Sequence, residues 1–124
     1  MHWLAVAVGG ALGAMARYGV SSIIFNPSSQ KFPWATMSVN VLGSFVMGLL
    51  FVIIVEKGAL PTEMRSLLMI GFLGAFTTFS TFSLELLLMI ERGEWVLSLV
   101  YAFASLVSCF AGVYFGAQFA RWLS

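Results

Sequence analysis

Charged residues are what this sequence has least of. Only 9% of its 124 residues are charged, aspartate is absent, and 60% of the residues are hydrophobic. Because a soluble domain carries about 25% charged residues, this composition excludes a soluble globular protein and indicates a chain that lies in a lipid bilayer. The net charge of +1, with no block of basic residues, gives no basis for nucleic-acid binding.

Cysteine and histidine are each present once. The single Cys109 excludes a disulfide framework and a cysteine metal site, and we interpret it as a packing residue within the fourth apolar segment. His2 stands alone near the terminus, which favours neither a metal site nor histidine-based catalysis. No nucleophile with a neighbouring base is visible, so we expect no enzyme activity.

Long apolar segments take up most of the chain. A membrane-spanning helix needs about 20 mostly apolar residues, and four segments meet this requirement. We therefore predict an all-α membrane protein with four transmembrane helices in a single domain, residues 1–124. The first segment lacks a basic leader and a cleavage site, so we expect it to remain as a span. The predicted spans are approximately 3–24, 34–55, 66–90 and 95–123.

Three short breaks separate these spans. FNPSSQKFP at 25–33 is rich in proline and serine, and EKGALPTEMR at 56–65 contains Thr62, which could cap the third helix. ERGE at 91–94 is so short that spans three and four must form a tight hairpin. Four spans place both termini on one side of the membrane.

The basic residues show no bias between the two sides of the membrane. The terminal side with the second loop holds three of them, and the opposite side also holds three if Arg17 extends that way. A chain that inserts both ways can form an antiparallel dimer, although a balance over six residues also arises by chance. The two sets are Lys57, Arg65 and Arg121 against Arg17, Lys31 and Arg92.

Small residues four apart occur in three of the spans. Such pairs let helices approach closely in lipid, and we interpret most of them as ordinary helix packing. The pairs are Gly9 with Gly13, Ser44 with Gly48, and Gly112 with Gly116.

Polar residues recur on one face of the second span, at Thr36, Asn40 and Ser44. Polar groups in hydrocarbon are costly unless they have partners or face water, so they point to function. Asn40 is the least expected of them. Its amide could bind an anion through N–H or bridge two helices, and the sequence leaves both open.

A similar polar stripe follows the fourth span, at Tyr101, Ser105 and Ser108, and the small Gly112 extends it. This stripe could hydrate an ion, or its serines could bond back to their own helix.

The third span contains GFLGAFTTFSTFSLE at 71–85. Its clustered hydroxyl residues and glycines weaken a continuous helix and favour a broken one, whose freed carbonyls could coordinate a cation. If the segment were helical, Phe76, Phe79 and Phe82 would share one face. Their ring edges carry partial positive charge and could face an anion, or the rings could simply pack as core.

Glu85 is the one acid that lies well inside a span. A proton-coupled exporter needs such a titratable acid, but this position suits a helix-end or interfacial role equally well. The residues alone therefore indicate a small polytopic membrane protein whose polar tracks could pass an ion or a small polar solute, and they do not name the ion.

Four strings carry a resemblance to a known family: GFLGAFTTFSTFS at 71–83, TMSVN at 36–40, GGALGAMARY at 9–18 and YAFASL at 101–106. Together they resemble the Fluc (CrcB-type) fluoride channels over all four spans. The resemblance implies an antiparallel, dual-topology homodimer in the inner membrane that lets F⁻ leave the cell passively. It also implies two pores and a structural Na⁺ at the dimer centre.

The resemblance also implies roles for individual residues. Asn40 matches the family's pore asparagine, and Phe79 and Phe82 match the pair whose ring edges line the fluoride path. The other matches are Thr81 and Ser83 beside that path, Tyr101 and Ser105 in the polar track, Arg17 near the vestibule, Glu85 as the acid after the motif, and Gly74 and Thr77 as carbonyl ligands of Na⁺.

The chain departs from the family pattern at three positions. Ala75 and Ala35 stand where the family usually has glycine, and Cys109 stands where some members have a further hydroxyl.

Two other functions fit the size of the chain. A proton-coupled small multidrug exporter shares the length and the four spans, but it would carry an essential glutamate in the first span, and residues 1–24 contain no acid. A non-transporting assembly protein held together by its small-residue faces would have no reason to carry a polar track.

Overall fold

The computed structural model describes residues 1–24 and 31–123, and this part of the chain is built from helices. Four stretches are long and apolar enough to cross a membrane, as the composition predicts. Helix α1 spans His2–Ile24. Helix α2 spans Trp34–Leu50 and continues as π-helical turns at Phe51–Glu56. Helix α3 consists of Thr62–Met64, the π-helical segment Arg65–Leu73 and Gly74–Phe76, and it is followed by α4 (Phe79–Glu91) and α5 (Trp95–Leu123). Helices α3 and α4 together form the third span.

The second loop is shorter than the sequence predicts. Helix α3 begins at Thr62, four residues before the approximate start of residue 66 predicted for the third span. The prediction that Thr62 caps the helix is wrong. Extended Pro61 holds the cap position without a side-chain hydrogen bond, and its carbonyl accepts from the Met64 amide at 3.0 Å. In the first predicted loop, residues 25–30 lie outside the described part of the chain.

The predicted tight hairpin between spans three and four is confirmed. Helix α4 ends with two amides that bond back to carbonyls of its last turn, from Gly93 to Ile90 and from Glu94 to Met89. Gly93 has a φ of +79°, a left-handed conformation that glycine adopts without strain. Helix α5 then begins at Trp95.

The small residues lie where the helices pack most closely. A Cβ at Gly9 or Gly13 of α1 would lie 2.1 Å from a backbone oxygen of α3. A Cβ at Gly48 of α2 would lie 2.1 Å from the Val113 carbonyl oxygen of α5, and one at Gly116 would lie 2.0 Å from the Phe45 oxygen. The packing interpretation of these glycines is therefore confirmed.

This contact offers a matched pair of substitutions. We expect Gly9→Ala to lower the thermal stability of the purified protein, by about 1–3 kcal/mol, because the added methyl meets the Leu67 carbonyl in a packed contact. Gly10→Ala is the control, since a Cβ there meets nothing within 4 Å and alanine favours the helix. Thermal unfolding followed by circular dichroism measures both, and equal melting temperatures for the two variants would contradict the close packing.

Two apolar clusters fix the helices on either side of the junction between α3 and α4. One contains Val39, Leu73 and Phe76 and joins α2 to α3. The other is formed by Phe82, Met89 and Tyr101, and joins α4 to α5. The residues between Phe76 and Phe79 are thus held between two packed regions.

Candidate functional site

The backbone leaves the helical conformation between α3 and α4. Thr77 (φ −85°, ψ 158°) and Thr78 (φ −152°, ψ 113°) are extended. The Leu73 carbonyl accepts from both the Thr77 amide at 3.0 Å and the Thr77 hydroxyl at 2.9 Å. Thr78 Oγ1 accepts from the Thr81 amide at 3.1 Å, a bond that the Thr77 carbonyl would accept in a continuous helix. Thr78 is thus the N-cap of α4, which is a favoured role for threonine.

The side chain of Asn40 on α2 forms hydrogen bonds with the non-helical backbone of Thr78. Asn40 Nδ2 donates to the Thr78 carbonyl at 3.1 Å, and the Thr78 amide donates to Asn40 Oδ1 at 2.8 Å. The side chain therefore bridges α2 to the extended backbone. Bridging two helices was one of the two alternatives that the sequence left open for Asn40. Irregular backbone at membrane depth needs such partners, since no bulk water is available there.

This arrangement diverts the amides that would otherwise bond the carbonyls of Gly74 and Thr77. In a continuous helix the Thr78 amide would donate to Gly74 and the Thr81 amide to Thr77. In this structure the first donates to Asn40 and the second to Thr78 Oγ1. The carbonyls of Gly74 and Thr77, which the resemblance assigns to Na⁺, therefore lack the amide donors that a continuous helix would give them. Backbone carbonyls without these donors fit the coordination of a cation. Within residues 1–24 and 31–123, no cluster of acidic, histidine or cysteine side chains could hold a metal.

Arg17 lies at the same break. Its Nε donates to the Ala75 carbonyl at 3.0 Å, near the end of α3, where positive charge complements the helix dipole. Arg17 is thus bonded at the break, and the condition under which it counts with Lys31 and Arg92 is not met by this contact. With Arg17 removed from the count, basic residues on the two sides stand at three against two.

A cleft of about 450 Å³ opens between α2, the break and α5. It brings together five of the residues predicted to form the site: Asn40, Thr77, Phe79, Phe82 and Ser105. The remainder of its wall is mostly apolar. These further lining residues are Gly43, Ser44, Met47, Thr78, Leu106, Cys109, Phe110 and Val113.

The phenylalanines do not form one stripe. Phe76 packs in the core with Val39 and Leu73, because the break separates it from the helix of the other two. Phe79 and Phe82 both line the cleft, with ring centroids 5.5 Å apart and an interplanar angle of 43°. Phe82 is 7% exposed, whereas Phe79 is 74% exposed at the surface of the protomer.

Ser105 carries a buried hydroxyl without a partner. The residue is 6% exposed, and its Oγ makes no hydrogen bond to any described residue. Ser108 behaves differently, since its hydroxyl donates to the Ala104 carbonyl of its own helix and it lines a second groove beside Ser38 and Gly112. The predicted common face of Ser105 and Ser108 is therefore wrong, and Cys109 takes that place in the cleft.

Glu85 forms a polar network that the sequence did not reveal. Thr36 Oγ1 donates to Glu85 Oε2 at 2.7 Å, and the Tyr101 hydroxyl donates to Glu85 Oε1 at 2.8 Å. The three residues come from α2, α4 and α5, so the carboxylate ties three helices together inside the membrane. Tyr101 is fully buried, and its ring lies 5.0 Å from that of Phe82, behind the cleft wall. The sequence indicated only that Thr36 shares the polar face of α2 with Asn40, and it gave no sign that Thr36 contacts Glu85.

Thr81 and Ser83 lie beside the break and are not among the residues that line the cleft. Thr78 Oγ1 donates to the Thr81 hydroxyl at 3.0 Å, so Thr81 supports the cap of α4. Exposed Ser83 donates from its hydroxyl to the Phe79 carbonyl of its own helix at 3.0 Å.

Comparison with known proteins assigns the chain to a family. Residues 4–117 match the family model described as CrcB-like protein, Camphor Resistance (CrcB). A fluoride-specific ion channel FluC of Saccharophagus degradans is 56% identical over 111 residues, covering 90% of this chain and 83% of the relative. Proteins of the same name from Magnetococcus marinus and Hahella chejuensis are each 46% identical, covering 94% and 97% of this chain and 94% of each relative. The chain belongs to the CrcB-like protein family.

Proposed function

We infer that this chain is a fluoride-specific ion channel, a multi-pass protein of the bacterial inner membrane that releases F⁻ passively. Four membrane-capable helices and the family membership support this function. The relatives named above are fluoride channels and match nearly the whole chain. A channel performs no chemical conversion, so the chain is not an enzyme.

We propose that the cleft is one wall of the fluoride path. Moving a bare anion into low dielectric costs far more than thermal energy, so donors must replace its water. Asn40 Nδ2 has a second hydrogen besides the one donated to Thr78, and the Ser105 hydroxyl has no partner among the described residues. The ring edges of Phe79 and Phe82 carry partial positive charge without a fixed countercharge.

We propose that a second subunit completes the fluoride path. Phe79 and Gly74 are both exposed on the protomer, although each belongs to the proposed ion sites. An antiparallel homodimer would cover them and form two pores related by a two-fold axis in the membrane plane. The near balance of basic residues, three against two, supports insertion in both orientations.

A structural Na⁺ would lie on that two-fold axis. The carbonyls of Gly74 and Thr77 from both subunits would supply four oxygen ligands, the ligand type that hard cations prefer. Support comes from the diversion of the Thr78 and Thr81 amides, which leaves these oxygens without their helical donors. Such a cation would hold the two broken spans together without entering the anion path.

The sodium proposal predicts a selective stabilisation. Replacing Na⁺ by N-methylglucamine at constant ionic strength is expected to lower the melting temperature of the purified dimer, and added Na⁺ should restore it with saturation. Binding to the folded state alone stabilises by about 2.7 kcal/mol at a hundredfold excess over Kd. Identical melting in both cations at every concentration would contradict the site.

The observation that carries the function is Asn40 bound to the extended Thr78 backbone beside two phenylalanines, in a member of this family. Fluoride efflux from proteoliposomes, followed with a fluoride electrode, tests it. We expect rapid F⁻ release that needs no proton gradient, and no comparable release of Cl⁻. Absent F⁻ flux, or equal Cl⁻ flux, would refute the function.

The small multidrug exporter is the weaker candidate on the same facts. Its essential acid is missing from residues 1–24, and Glu85 is bound to two hydroxyls of neighbouring helices. The family membership also decides against a purely structural assembly protein.

A further inference from the structure

The cleft contains the only thiol of the chain. Cys109 is half-buried and lies one helical turn after Ser105 on α5, and both residues line the cleft. The sequence alone suggested a packing residue inside the fourth span. In the structure, the thiol instead borders the space that Asn40, Phe79 and Phe82 also line.

A second observation indicates that this part of the cleft receives a polar ligand or water. Ser105 Oγ is buried, with the residue 6% exposed, and it has no hydrogen-bond partner in the described part of the chain. Buried hydroxyls almost always have a hydrogen-bond partner, so a buried hydroxyl without one implies that its partner enters the cleft. Cys109 therefore lies one helical turn from that hydroxyl and borders the open cleft, where a small reagent can reach the thiol.

We propose that Cys109 is a modification site for small sulfur electrophiles of the thiosulfonate class, and that its modification blocks the ion path. The proposal rests on the fluoride channel function given above.

The reaction balances without any further oxidant. The Cys109 thiolate attacks the sulfenyl sulfur of methyl methanethiosulfonate, CH₃–S–SO₂–CH₃, and a new S–S bond forms. The bond between that sulfur and the sulfonyl group breaks, and methanesulfinate leaves with the electron pair. The thiol proton passes to solvent. The product side chain is Cβ–Sγ–S–CH₃.

The added group changes the cleft in two ways. It extends the side chain by a sulfur and a methyl into a space shared with Asn40 and Phe79. It also places apolar surface beside the Ser105 hydroxyl, where an anion would need donors to replace its water. The modified side chain has the length and shape of methionine, which supplies a genetic mimic.

The test uses the reconstituted wild-type protein, because the chain has a single cysteine. Proteoliposomes are treated with methyl methanethiosulfonate at mildly alkaline pH, mass spectrometry measures the extent of addition, and a fluoride electrode measures efflux. We expect complete addition and a fall in F⁻ efflux of about tenfold or more, reversed by dithiothreitol.

Two variants complete the test. In Cys109→Ser, efflux after treatment should equal efflux before treatment, which shows that the loss depends on the thiol. Cys109→Met should show the low efflux of the modified protein without any reagent, and dithiothreitol should not restore it.

Three results would overturn the inference. Full addition with unchanged efflux would place the thiol away from the path. A thiol that reacts only after denaturation would lie outside any accessible space, and equal loss of efflux in Cys109→Ser would locate the effect elsewhere. If untreated protein shows no F⁻ efflux at all, the channel function itself fails, whereas the labelling result still reports the accessibility of Cys109.

Discussion

Replacing Asn40 with alanine is expected to lower fluoride efflux by about a hundredfold or more and to destabilise the protein. The substitution removes both bonds to Thr78, leaving a half-buried amide and a half-buried carbonyl without these partners, at a cost of about 1–3 kcal/mol each. It also removes the second Nδ2 hydrogen that we assign to the anion. A barrier raised by about 3 kcal/mol corresponds to the expected change in rate.

Asn40→Asp separates the two roles. A carboxylate still accepts from the Thr78 amide but cannot donate to its carbonyl or to an anion, and its charge repels F⁻. We expect melting between the wild type and Asn40→Ala, with efflux as low as in Asn40→Ala. Ser38→Ala is the matched polar control on α2, because Ser38 lines the other groove, and its efflux should match the wild type. Wild-type efflux in Asn40→Asp would reduce the residue to a structural bridge.

Replacing Phe79 or Phe82 with isoleucine is expected to lower fluoride efflux about tenfold or more while the dimer remains intact. Isoleucine keeps an apolar side chain but has no ring edge to face an anion. A tenfold fall in efflux corresponds to a barrier that is about 1.4 kcal/mol higher. The two substitutions should differ in stability. Phe82 is 7% exposed, so its loss costs packing within the protomer, whereas Phe79 is 74% exposed on the protomer and its replacement should lower the melting temperature less.

Phe103→Ile is the matched control for these variants. Phe103 is 66% exposed on α5 and is not among the residues that line the cleft, so the same change there should leave efflux unaltered. Chromatography of each variant in detergent reports whether the dimer survives. Normal efflux in both Phe79→Ile and Phe82→Ile would assign the phenyl rings to packing.

Hydropathy and glycine spacing were sufficient for the helices and their closest contacts. The four membrane-capable stretches, the hairpin after α4 and the packing of Gly9 and Gly48 all follow from local sequence, because segment length and side-chain size are local properties. The hydroxyl-rich string at 76–83 also coincides with the stretch where the backbone leaves the helix.

The contacts between distant segments could not be predicted in the same way. Periodicity shows which residues share a face of one helix, but it does not show which face meets which neighbour. The bonds of Asn40 to Thr78 cross 38 residues, and those of Glu85 to Thr36 cross 49. The same limit explains why Ser108 was wrongly placed with Ser105, since the two residues line different grooves between α2 and α5.

The central claim is that the chain conducts fluoride selectively and without energy coupling. Its most direct test is the reversal potential of currents through the purified protein in a planar bilayer, with F⁻ and Cl⁻ at opposing gradients and equal pH on both sides. We predict a reversal at the equilibrium potential of F⁻, unchanged when a pH gradient is imposed. A reversal at the Cl⁻ potential, or one that moves with the pH gradient, would contradict the account.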